Sequence, residues 1–164
     1  MNLSNIKYYS TSNGPGFRTA VFVSGCSLHC PGCFNKQAWD YAFGMELTES
    51  IIDKIVRSCE NEFICGLSIL GGEPMDEKNQ PGVARIIKAF REKFGADKTV
   101  WLWSGYHMDD NLPLTDDTEY ILDNVDCVID GPFKENCADL RLKYRGSSNQ
   151  RIWEKKNGEF KEAM

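Results

Sequence analysis

Four short runs rich in β-branched and aromatic residues, FRTAVFVS (17–24), CGLSIL (65–70), TVWLW (99–103) and DCVID (126–130), recur roughly every 30 residues. Helical patterns fill the gaps. TESIIDKIVRSCEN (48–61) places Ile51, Ile52, Ile55 and Val56 at helical spacing, with Thr48 as N-cap. GVARIIKAFREKFG (82–95) repeats the pattern, and Gly95 suits the C′ position. DDTEYILDNV (116–125) is a shorter third helix. This rhythm predicts an α/β fold with a mainly parallel sheet and right-handed crossovers. The apolar runs are nearly continuous, as in strands buried on both faces. Four βα units are too few to close an eight-stranded barrel, so the expected sheet is an open partial (β/α) barrel. After residue 131 the rhythm breaks. QRIWEKKNGEFKEA reads as a C-terminal hairpin-like extension turning at Asn157-Gly158. No linker interrupts the chain, and residues 1–164 are expected to form one domain.

Each strand ends in a loop of a different kind. A cysteine loop follows the first, GGEP (71–74) the second, SGY (104–106) the third and DGP (130–132) the fourth. All four fall on one edge of a parallel sheet, the edge where such sheets bind ligands.

In the first loop, GCSLHCPGCFN (25–35), Cys26, Cys30 and Cys33 fall within eight residues. Structural zinc takes four protein ligands, so zinc here must recruit His29, Cys59 or Cys65. His29 lies between two cysteines of a short loop, and nothing in the spacing of Cys59 directs it inward. An iron–sulfur cluster is held by thiolates. With only three, one iron keeps an open position. Pro31 and Gly32 supply the sharp turn before the last cysteine. Spacing places the cluster ahead of zinc and leaves both readings open. Cys65 and Cys127 lie in apolar runs and read as small buried hydrophobes.

The net charge of −5, with no long basic run, argues against nucleic-acid binding. The basic stretch RLKYRGSSNQR (141–151) reads as a solvated loop, with a phosphate or acidic partner as the alternative. No apolar run reaches a membrane span of roughly 18 residues, and the N-terminus lacks the pattern of a signal peptide. A cytoplasmic location is expected. Seven cysteines, an odd number, then favour metal or redox chemistry over disulfides.

The Cys26-x-x-x-Cys30-x-x-Cys33 spacing and GGEP resemble the signature motifs of the radical S-adenosylmethionine (SAM) enzymes. More narrowly, the chain resembles the family that activates anaerobic ribonucleoside-triphosphate reductase. That resemblance is carried by NGPGFR (13–18), VSGCSLHCPGCFN (23–35), Trp39, GLSILGGEP (66–74), WLWSGY (101–106), VIDGPF (128–133) and RGSSNQR (145–151).

The resemblance implies a 4Fe–4S cluster on Cys26, Cys30 and Cys33, with the amino and carboxylate groups of SAM on the fourth iron. It implies reductive cleavage of SAM to a 5′-deoxyadenosyl radical that takes hydrogen from a glycine of the reductase. A low-potential donor such as flavodoxin would supply the electron. Gly71 and Gly72 would let main-chain groups meet the SAM amino group, with Glu73 adding charge or fixing the loop. Ser104 would meet the SAM carboxylate. The position before the third cysteine, often aromatic in the superfamily, is Gly32, so adenine would rest on backbone around Gly32, Cys33 and Phe34. Asp130 ends an apolar strand and needs a partner, expected in SAM or the substrate loop. Arg18 would reach the cluster edge or the electron donor; a surface salt bridge is its plainer reading. Phe34 reads equally as a core aromatic, and Trp101 and Trp103 share a face as core residues. The rival functions are activation of another glycyl-radical enzyme and a non-catalytic zinc module that binds a protein.

Overall fold

The computed structural model of the protein describes residues 1–163. Eight strands form one open sheet: β1 (Asn2–Ser10), β2 (Phe17–Val23), β3 (Met45–Glu46), β4 (Ile64–Gly71), β5 (Thr99–Trp103), β6 (Cys127–Asp130), β7 (Arg151–Lys156) and β8 (Glu159–Ala163). Their spatial order is β3-β1-β2-β4-β5-β6-β7-β8. Helices α1 (Glu49–Ser58), α2 (Gln80–Phe94) and α3 (Thr118–Asn124) fall between β3 and β4, β4 and β5, and β5 and β6.

The fold is α/β as expected, but the sheet is mixed rather than mainly parallel. Only the neighbours β2-β4, β4-β5 and β5-β6 run parallel. The pairs β1-β2, β1-β3, β6-β7 and β7-β8 are antiparallel. The predicted hairpin forms at the predicted turn, with Asn157 and Gly158 both at positive φ (54° and 82°), as a type I′ turn requires. It is not an appendage: β7 pairs with β6 and continues the sheet.

The strands of the parallel centre bury two faces by alternation. Val21, Val23, Leu67, Ile69, Val100, Leu102 and Val128 face the helices, where Ile52, Ile55, Val83, Ile87, Phe90 and Ile121 complete the main core. Trp101, Cys127 and Ile129 form a smaller cluster with Trp103, Tyr144 and Ile152. Thr48 caps α1 as predicted, its hydroxyl accepting from the Ile51 N–H at 3.3 Å. Helix α2 begins two residues before the predicted start, because Pro81 is tolerated in a first turn.

Arg18 is not at the surface, where its plainer reading as a salt bridge put it. It is fully buried. Nε donates to Ser68 Oγ at 2.7 Å, Nη1 to Thr99 Oγ1 at 3.0 Å, and Nη2 to the carbonyls of Leu67 and Thr99 at 2.9 Å each. The guanidinium lies 5.6 Å from the Trp101 ring. It ties β2, β4 and β5 together from within. Cys59, whose spacing gave no inward direction, is fully buried in the main core. Cys65, expected inside, is exposed at the start of β4; Cys127 is buried as predicted.

Candidate iron–sulfur and cofactor site

The C-terminal ends of β2, β4, β5 and β6 open onto one cavity of about 540 Å³. Cys26, Cys30, Cys33, Phe34, Gly71, Gly72, Glu73 and Ser104 all line it, so most residues singled out from the sequence converge on one place. Gly32 and Asp130 do not line it.

Local chemistry shapes the cysteine loop. The Cys33 N–H donates to the Cys30 carbonyl at 3.1 Å, closing a turn with Pro31 and Gly32 at its centre. Gly32 has φ 78°, the conformation a type II turn requires there. Its α-carbon faces Glu135, which a Cβ at that position would meet at 2.9 Å. Gly72 is held tighter still: a Cβ there would lie 2.4 Å from the Gly25 carbonyl oxygen and 2.8 Å from that of Ala38. The close approach that GGEP permits is therefore to the cysteine loop itself. The Gly72 N–H donates to the Val23 carbonyl and the Glu73 N–H to the Gly25 carbonyl, each at 2.8 Å.

Burial raises the Cys26 thiol to about 11, and burial likewise raises Cys30. Nearby backbone of His29 and Leu28 opposes that rise at Cys26, and backbone of Phe133 opposes it at Cys30. The Asn35 N–H donates to Cys33 Sγ at 3.4 Å. A main-chain donor on a thiol sulfur suits an iron–sulfur cluster, whose potential is tuned by such bonds. Among the described residues no group of three or more His, Cys, Asp or Glu side chains stands where it could hold one metal ion. The imidazole of His29 stacks on Trp39, with centroids 4.2 Å apart.

Glu73 bridges two strand ends. Its Oε1 accepts from the Met75 N–H at 2.9 Å and the Ser104 hydroxyl at 2.8 Å, and its Oε2 from the Gly105 N–H at 2.6 Å. It is almost wholly buried, and burial raises its carboxyl to about 7. Ser104 Oγ also accepts from the Tyr106 N–H at 3.1 Å.

Asp130 finds its partner inside the chain rather than in a ligand. Arg151 donates to both its oxygens, at 2.9 and 2.7 Å, and the Met108 N–H adds a third bond at 2.9 Å. Phe34, read from the sequence as a core or cofactor-packing aromatic, is 96% exposed on the cavity wall. Leu140, as exposed, also borders it. The basic stretch 141–151 is not a free loop. Gln150 Oε1 accepts from the N–H groups of Gly146 and Ser147, and Gln150 Nε2 donates to the Gly131 carbonyl.

Sequence reasoning missed Asp76 and its partners Ser27, Tyr41 and Tyr106, which fasten the cysteine loop to the GGEP loop. It also missed Asn79, whose amide donates to the carbonyls of Gly25 and Glu73. A polar loop between a strand and a helix gives no sign that its carboxylate is buried.

Residues 12–153 match a family model described as a 4Fe-4S single cluster domain. The chain is 32% identical to the anaerobic ribonucleoside-triphosphate reductase-activating protein of Enterobacteria phage T4 over 161 residues, covering 98% of this chain and 99% of the relative. It is 37% identical to the protein of that name from Vibrio cholerae, over 85% of this chain and 89% of the relative. With the Escherichia coli K12 protein of the same name it shares 34% identity, over 88% and 94%. Extending across nearly the whole chain and taking in all three cysteines and the cavity around them, these likenesses establish that the chain belongs to the family of anaerobic ribonucleoside-triphosphate reductase-activating proteins.

Proposed function

We propose that this chain is a radical SAM enzyme of partial-barrel type that cleaves SAM reductively and uses the resulting radical to oxidise a backbone glycine of anaerobic ribonucleoside-triphosphate reductase. The observation that carries the reading is the convergence of the three thiols, the GGEP loop and Ser104 on one cavity. A 4Fe–4S cluster on Cys26, Cys30 and Cys33 would supply the electron and an open iron for the amino-acid end of SAM. That chemistry belongs to the cofactor, and the chain supplies placement.

The cavity volume lies within the usual range for small-molecule sites. Leu28, Leu70, Trp103, Phe133 and Tyr144 give it apolar walls for a nucleoside, and Glu73 and Ser104 give it a polar end. Glu73 holds the ends of β4 and β5 in fixed relation, and its carboxylate form favours the cationic amino group of the ligand. Gly72 lets that loop lie directly against the cysteine loop. Phe34 and Leu140 form an exposed apolar lip where a protein substrate can bring its glycine to the cavity. A low-potential donor such as flavodoxin fits the electron requirement.

The test is anaerobic incubation with SAM, a reductant and the cognate reductase, followed by electron paramagnetic resonance. A glycyl doublet on the reductase is expected. Intact SAM would refute the chemistry, and SAM cleavage without a doublet would refute the partner.

A further inference from the structure

Asp76 is 3% exposed and lies in the loop between β4 and α2. Its Oδ1 accepts from Ser27 Oγ at 2.6 Å and from the Tyr106 hydroxyl at 2.7 Å. Its Oδ2 accepts from the Ser27 N–H at 2.8 Å and from the Tyr41 hydroxyl at 2.6 Å. All four donors are neutral. No Lys, Arg or His among the described residues forms an ion pair with it. The nearby Lys78 is exposed and lies over the outer Tyr41 ring, 4.8 Å from its centroid.

A buried carboxylate without a cation is stabilised by its hydrogen bonds alone, and its field is weakly screened. Here the field falls on the cysteine loop, because Ser27 directly follows Cys26. Asp76 holds both the N–H and the hydroxyl of Ser27, at 2.8 and 2.6 Å, so the carboxylate lies one residue from the first cysteine. Both oxygens accept two bonds each, a pattern that an amide, with one acceptor oxygen, meets only in half, so loop support and charge have to be separated by the sign of their effects.

We propose that Asp76 lowers the electron affinity of the cluster bound by Cys26, Cys30 and Cys33, its charge holding the reduction potential low and its four donors limiting how low. The proposal rests on the cluster reading above. It assigns Asp76 a positioning and electrostatic role without contact to substrate. A low potential is what a one-electron cleavage of a sulfonium needs from its donor.

The sign of the effect separates charge from mere loop support. Asp76→Asn removes the charge and should make the cluster easier to reduce, by about tenfold or about 59 mV for one electron. Tyr106→Phe and Tyr41→Phe keep the charge and remove a donor, so each should shift the potential the opposite way. The experiment is an anaerobic redox titration of the cluster-loaded parent and the three variants, followed by the resonance of the reduced cluster, with iron per chain measured alongside. Opposite shifts support the proposal. Shifts of one sign, or none, in variants that retain the cluster overturn it. If Asp76→Asn fails to assemble a cluster, the two phenylalanine variants decide alone, and an unchanged potential in both overturns it. A parent chain that holds no cluster would instead sink the reading beneath the proposal.

Discussion

Asp130 and Arg151 sit directly opposite each other on β6 and β7, and the guanidinium closes on both carboxylate oxygens at 2.9 and 2.7 Å. Asp130 is fully buried, and Arg151 keeps 24% of its side chain exposed while also pairing with Asp109. The pair welds the antiparallel C-terminal half of the sheet to the last parallel strand. Removing Arg151 strands the fully buried charge of Asp130, so Arg151→Met should destabilise the fold by about 3–5 kcal/mol. The double variant Asp130→Leu/Arg151→Met should recover most of that loss. Urea denaturation of the three proteins measures both.

Arg18 anchors β2, β4 and β5 through four bonds to neutral oxygens. Burial lowers its pKa to about 10, which leaves it cationic at neutral pH. Lysine keeps the charge but lacks the planar fork that reaches all four acceptors. Arg18→Lys should therefore cost about 3 kcal/mol of stability, chiefly from orphaned buried acceptors. Thermal unfolding that matches the parent would remove Arg18 from its structural role.

Gly72 leaves no room for a methyl group between two carbonyl oxygens. Gly72→Ala should cost about 2 kcal/mol through overpacking and push the cysteine loop away from the cavity. Bound iron per chain, measured after anaerobic reconstitution, should fall with it. Iron content at the parent level would show that the two loops move independently.

Glu73 gives the site a pH dependence of known sign. Burial raises its carboxyl from 4.5 to about 7, so between these values the folded chain holds a proton that the unfolded chain has released. The stabilisation from this group is complete below pH 4.5 and is lost as pH rises through about 7, a change of about 3 kcal/mol. Glu73→Gln should abolish that slope. Denaturation midpoints of both proteins between pH 4.5 and 8 test it; parallel profiles would contradict the burial of a titrating carboxyl.

Much of this architecture is legible in the residues because parallel strands buried on both faces are nearly pure apolar runs. TVWLW gave β5 to the residue, and Asn157-Gly158 gave the hairpin turn. What stayed hidden was antiparallel. Strand β1 carries only Leu3 and Ile6 as aliphatic residues among polar and exposed neighbours, and two irregularities against β2 break its alternation. Without it, and without the pairing of β7 to β6, the sheet read as mainly parallel. Tertiary pairing also decided the charged residues. Asp130 meets a residue 21 positions later, a distance no local pattern reports. Asp76 looked like any loop carboxylate until the fold placed two tyrosines and Ser27 around it. The cysteine triad was legible because its chemistry is local, three thiols within one turn-bearing loop.

The central claim is that three side chains hold the cluster and leave one iron to the amino-acid end of SAM. Pulsed double resonance on the reduced protein with SAM labelled with nitrogen-15 at its amino group tests it directly. A hyperfine coupling from the labelled nitrogen to the cluster spin is the predicted result. Bound SAM with no such coupling, on a cluster whose four irons all carry protein ligands, would contradict it.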